Sequence, residues 1–413
     1  MIDQERLLRR FLQYVRVDTT AREAATTYPS SPGQLQLGRM LKSELEALGL
    51  TDVCQSRHGI VLATIPPTVD KRTPVVALNS HFDTSPETTG AGVRPQVVRN
   101  YHGGDIPLPG NPTAVIRTAD NPQLSSLVGC TIITTDGTTL LGADDKAGVA
   151  IIMTAAAHLM ANPNIKRGPI RVVYTCDEEV GRGVDKVTPE MINAKVAYTL
   201  DGESAGSIEN ETFSADLATV TITGYNIHPG LATGKMINSI RLAGQFISRM
   251  PWHFKAPETT SKRIGFLHPY VIEGGVPEVK IKILLRSFVT AELAEQADLL
   301  RHIAATLMAE WPRAKVDVNV TKQYRNMVEV LAKEPRAVAL PTKAVEKLGI
   351  KPKFESIRGG TDGSRLSEMG LPTPNIFTGM HNFHSCLEYA CLEEMELAVK
   401  TLVELAQLWG KEK

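Results

Sequence analysis

The feature that most constrains this chain is a set of five short apolar runs, each followed by acidic or imidazole-bearing residues. They are PVVALNS (74–80), TIITT (131–135), IRVVYTC (170–176), KVAYTL (195–200) and PNIFTG (374–379). Runs of this length, rich in β-branched residues, read as strands buried on both faces. Helical stretches lie between or around them, among them 148–161 and 392–409. The pattern predicts an α/β fold with a mostly parallel sheet flanked by helices. Open sheets of this kind bind ligands at the carboxyl ends of their strands. The 74–80 run meets His81 and Asp83 there, the 170–176 run meets Asp177-Glu178-Glu179, and the 195–200 run meets Asp201. The last run reaches His384 within five residues, and Asp144-Asp145 open the helix after the TIITT region.

Two adjacent carboxylates at a buried strand-to-helix junction are costly without a positive partner. Taken singly, an aspartate at a strand end reads as a cap or turn residue, and a lone histidine as structural. Taken together, two histidines and several carboxylates form the donor set that zinc accepts. Carboxylates alone would point to magnesium or calcium. The expectation is a metal pair, with one aspartate of the Asp144-Asp145 couple bridging both ions.

One segment breaks the rhythm. From 213 to 323 the order reads strand, helix, strand, strand, helix, strand, the βαββαβ arrangement of a ferredoxin-like unit within about 110 residues. With 413 residues, more than one core is expected. The reading is therefore a catalytic domain of 1–212 plus 324–413, with 213–323 inserted as a lid or dimerisation-type domain. Lysine plus arginine and aspartate plus glutamate each number 45, which gives no support for nucleic-acid or anionic-membrane binding. No apolar run approaches the roughly 20 residues that span a bilayer. The charged, amphipathic start lacks the apolar core of a secretory signal. Five cysteines without CxxC spacing suit reduced thiols and a cytoplasmic location.

Seven blocks, in this order, carry a resemblance. They are SHFDTSPETTG (80–90), NYHGGDI (100–106), TLLGADDKAG (139–148), DEEVGRG (177–183), NIHPG (226–230), RGGTDGS (358–364) and LPTPNIFTG (371–379). The chain resembles the aminotripeptidases of the di-zinc exopeptidase family, to which aminoacylases also belong. The resemblance implies two Zn²⁺ per chain, with Co²⁺ or Mn²⁺ as substitutes. It gives His81 and Asp201 to one ion, Glu179 and His384 to the other, and Asp144 to both. Asp83 would hold the His81 imidazole by its far nitrogen. Glu178 would be the general base that activates a water bridging the ions. His228 would stabilise the oxyanion, Arg358 would grip a substrate carboxylate as a planar fork can, and Arg286 and Asn326 would assist. Departures such as Glu203-Ser204, Leu231 and Ser385-Cys386 alter the expected pocket wall without removing a ligand.

The leading expectation is an aminopeptidase acting on short peptides, preferably tripeptides, with a homodimer compatible. A second is a di-zinc amidohydrolase or dipeptidase acting on N-acyl amino acids or dipeptides. A third is a non-catalytic metal- or peptide-binding module, which would have no use for Glu178.

Overall fold

A computed structural model describes residues 2–69 and 72–413. Met1, Asp70 and Lys71, counted above in the first domain, lie outside the described residues. The chain divides into two compact units. The first comprises the residues up to Asn210, then Met327–Glu355 and Thr361–Lys413; the second comprises Glu211–Asn326 and Ser356–Gly360.

The first unit is built on an eight-stranded sheet. Its centre holds four strands in the order Ile170–Thr175, Val76–His81, Val196–Gly202 and Asn375–Phe377, all mutually parallel. They are almost wholly buried, as their continuous apolar character requires. Register does the positioning. His81 lies opposite Thr175, and Asn79 opposite Thr199, so His81, the Asp177-Glu178-Glu179 turn and Asp201 emerge at one edge. Helices Ala143–Ala161 and Leu392–Trp409 pack with Gln4–Val15 and the sheet into one core that includes Phe11, Ile151, Tyr174 and Trp409. The helix Ala143–Ala161 is mostly buried all round, which suits an alanine- and isoleucine-rich sequence lacking an exposed polar stripe.

The TIITT run departs from expectation. Its strand, Ile132–Thr134, lies outside the parallel sheet. It pairs antiparallel with Tyr389–Cys391 and with Gln96–Val98 in a second, four-stranded sheet. Apolar character announces a buried strand but says nothing about its partner, and this partner lies some 250 residues further along the chain.

The second unit is a four-stranded antiparallel sheet in the order Phe266–Gly274, Glu278–Ser287, Ser214–Thr223, Lys315–Tyr324. Helices Ser239–Ser248 and Glu292–Glu310 complete the βαββαβ connectivity. Alternation along EVKIKILLRS puts Val279, Ile281, Ile283 and Leu285 into a separate core with Leu242, Phe246 and Leu300. Among the described residues no helix is long and apolar enough to cross a membrane.

Candidate metal centre and active site

His81 closes its strand with the side chain 1% exposed. Its Nε2 lies 3.0 Å from Asp144 Oδ1, 3.6 Å from Asp201 Oδ1 and 4.0 Å from Glu178 Oε2. His384 faces the same aspartate from the other side, with Nε2 3.2 Å from Asp144 Oδ2 and 3.0 Å from Glu179 Oε2. Donor atoms therefore gather into two groups, His81–Asp144–Asp201 and Asp144–Glu179–His384, each within 4.8 Å and each able to hold a metal ion. Asp144 belongs to both. Glu178 belongs to neither, although it borders His81.

Local backbone explains how these groups converge. Gly142 takes a left-handed φ of 80°, which a glycine adopts without steric cost. Asp144 and Asp145 depart from helical angles before the helix proper begins. The two aspartates then part company. Asp145 accepts the Ser80 hydroxyl at 2.7 Å and the Gly148 N–H at 3.1 Å, so only Asp144 meets both histidines. Asp83 lies 3.5 Å from His81 Nδ1, and its two oxygens receive the backbone N–H groups of Glu178 and Glu179, each at 3.1 Å. It thus shapes the turn that presents both glutamates.

The electrostatics of the cluster call for a cation. Burial raises Glu179 to about 8, helped by the Asp144 charge, and raises Asp201 to about 7 for the same reasons. Burial also pushes Glu178 well above the usual carboxylate range. His384 is driven the other way: burial opposes its charge, but Asp144 and Glu179 overcome that and lift it to about 11. Three buried atoms here make no well-aligned hydrogen bond, namely His81 Nδ1, Asp144 Oδ1 and Glu179 Oε1, although His81 Nε2 faces Asp144 Oδ1 at 3.0 Å. A buried oxygen anion with no donor is costly, and a divalent ion supplies what is missing. Each donor group offers one imidazole and two carboxylates, a set that fits zinc-type ligation.

Several further residues support this site through partners that the sequence does not reveal. Glu388, 1% exposed, accepts the N–H groups of Leu141, Gly142 and Asp144 at 2.7, 2.7 and 3.0 Å. It holds the loop that carries Asp144, and burial raises it to about 7. Glu87 lies 3.2 Å from His384 Nδ1, the nitrogen facing away from Asp144. Asp177 accepts the Ser30 N–H and the Gln34 amide, which anchors the base of the glutamate turn. Asp362 accepts the Thr175 hydroxyl at 2.5 Å, just ahead of that turn. In sequence nothing distinguishes Glu388 from the other acids, while Asp177 stands at a strand end and Glu87 and Asp362 fall in the quoted blocks without any readable partner.

The other expected residues belong to the second unit. His228 is exposed, and its Nδ1 accepts the Gly230 N–H at 3.2 Å, which leaves the proton of the neutral ring on Nε2. Arg358 donates to the carbonyls of Lys262 and Ile264 at 2.7 and 2.9 Å and to the Thr260 hydroxyl at 3.0 Å. Its guanidinium also lies over the Phe213 and Phe266 rings. Arg286 donates to the carbonyls of Asp216 and Leu285 and lies over Tyr324. Asn326 bonds to Phe288 O, Glu211 and the Thr212 N–H. These three side chains are engaged with their own unit's framework.

Comparison with known proteins places these observations. Residues 136–408 match the profile of the peptidase family M20/M25/M40. Peptidase T of Geobacillus thermodenitrificans strain NG80-2 is 43% identical over 406 residues, 98% of each chain. The crystal structure of aminopeptidase PepT from Bacillus cereus ATCC 10987 superposes with a TM-score of 0.77 at 26% identity, covering 99% of this chain and 100% of that one. The YXEP protein of Bacillus subtilis, described as a dinuclear metal binding peptidase from the M20 family, shares the fold with a TM-score of 0.65 at 15% identity over 98% of both chains.

Proposed function

The chain belongs to the peptidase family M20/M25/M40 and is a metal-dependent aminopeptidase; on that premise we propose that it releases the N-terminal residue of short peptides, tripeptides foremost, at the centre around Asp144. One observation carries the reading: Asp144 is shared by two donor groups while Glu178 stands beside them and joins neither. Two divalent ions, zinc by donor chemistry, would be held by His81, Asp144 and Asp201 and by Asp144, Glu179 and His384. When bound, such ions polarise a carbonyl and make water acidic enough to yield a nucleophile near neutral pH.

The remaining work falls to the protein's own groups. Glu178, raised by burial, is poised to take a proton from the attacking water and deliver it to the leaving amine. Asp83 fixes the backbone of Glu178 by its N–H, which sets the point from which the side chain departs. His228, with a proton on Nε2, is the proposed donor to the developing oxyanion. For Arg358, Arg286 and Asn326 the existing partners favour a framework role over a substrate grip. Both terminal nitrogens of Arg358 already donate to Lys262, Ile264 and Thr260, so a carboxylate gripped in bidentate fashion would displace at least one of these bonds. Five free cysteines among the described residues support a reducing, cytoplasmic setting for the reaction.

The test is a pair of substrates. Ala-Ala-Ala should be cleaved and N-acetyl-Ala-Ala-Ala left intact, with activity abolished by chelation and restored by zinc, cobalt or manganese. Preference for the acetylated peptide would reassign the chain to amidohydrolase chemistry.

A further inference from the structure

Away from the centre just described, a third group of metal-ligating atoms shares no residue with it. The Sγ atoms of Cys130 and Cys391 and a carboxylate oxygen of Glu393 lie within 4.8 Å of one another. The ladder of the small sheet brings them together. Cys391 lies opposite Ile132 in the antiparallel pair, and the Leu392 N–H donates to Thr131 O at 3.0 Å, so Cys130 and Glu393 fall on adjoining positions. We propose that Cys130, Cys391 and Glu393 bind a thiophilic d¹⁰ divalent cation, zinc or cadmium in class, as a separate metal site.

Geometry supports a cation. Zinc–sulfur bonds near 2.3 Å in a tetrahedron place two thiolates about 3.8 Å apart and a thiolate and a carboxylate oxygen about 3.5 Å apart. Cys391 Sγ already lies 3.7 Å from Glu393 Oε2. That carboxylate is held in place by the Thr131 N–H at 2.7 Å, so one oxygen ligand is oriented in advance. Cys391 is fully buried while Cys130 and Glu393 are partly exposed, which leaves a route of entry and a fourth position for water. Two sulfurs select against magnesium and calcium, which prefer oxygen throughout. Binding converts two neutral thiols to thiolates and releases two protons to solvent. Without a cation the Cys391 thiol donates to the Glu393 carboxylate, and binding would put the metal in place of that proton.

Cadmium titrated into the full-length, metal-depleted protein under a phosphine reductant reads the site through its thiolate-to-cadmium ultraviolet band. At saturation the band in the wild type should reach the amplitude of one two-thiolate site per chain. Cys130→Ser and Cys391→Ser should each abolish it, while Cys54→Ser should leave it intact. His384→Ala should also retain it, since the Asp144 centre has no sulfur donor; the outcome is thus independent of whether that centre holds two ions. Absence of the band in the folded wild type would overturn the proposal, as would its survival in both cysteine variants. Cys130 is only partly buried, so Cys130→Ser carries the test even where Cys391→Ser fails to fold.

Discussion

Charged side chains are drawn onto the protein in both units, buried at Arg286 and partly so at Arg358, but to different ends. In the first unit His81, Asp144 and Glu179 converge and still leave Nδ1, Oδ1 and Oε1 without a well-aligned hydrogen bond. In the second unit Arg286 and Arg358 are directed at backbone carbonyls and aromatic faces, and Asn326 bridges three neighbours. A buried polar atom that the fold leaves unsatisfied asks for a ligand, whereas one that the fold satisfies holds the fold. Sequence motif alone does not separate the two cases: RGGTDGS carries both Arg358, engaged within the second unit, and Asp362, engaged in the first with Thr175.

The largest effect should fall on the two adjacent glutamates. Glu178→Ala should reduce kcat by about 10²–10⁴-fold, the scale of a lost general base, with metal content unchanged. Glu179→Ala should instead lose one ion. Measuring metal and turnover on both variants decides it, and interchanged results would show that the base and the ligand have been assigned in reverse.

A smaller effect is expected one layer out. Glu388→Gln keeps the shape of the side chain but removes the charge that receives three N–H groups around Asp144. Metal affinity should fall by about 10–100-fold, as when a residue that orients a ligand is changed. A competition titration with a chelator measures this. Unaltered affinity would mean that the loop holds Asp144 without help.

The smallest effect sharpens the contrast between the units. Arg358→Ala should cost about 1–3 kcal/mol of stability through lost charged hydrogen bonds. Hydrolysis of a free-acid tripeptide and of its C-terminal amide should then decline alike. A KM rise confined to the free acid would break the contrast and make Arg358 a carboxylate anchor, as the family resemblance implies.

What was legible in the sequence follows from where each signal resides. His81, Asp201 and the Glu178-Glu179 pair stand directly at the ends of apolar strands, so strand recognition alone led to them. The inserted βαββαβ order could be read because alternation in VKIKILL differs from the continuous runs of the parallel sheet. Glu388 is not legible in the sequence, and Asp177 is legible only as an acid at a strand end, because their roles lie in which backbone N–H groups they receive, and those belong to segments far away in the chain. The place of TIITT is hidden for the same reason: pairing with Tyr389–Cys391 is a long-range choice that hydropathy does not record.

The central claim is that Asp144 serves two ions at once. Metal analysis across a graded zinc loading, run alongside activity in a Cys130→Ser background so that the sulfur site does not contribute, tests it most directly. Full activity should be reached at two ions per chain, and Asp144→Ala should lose both ions together with turnover. Full activity at one ion per chain, or an Asp144→Ala variant that keeps two, would contradict it.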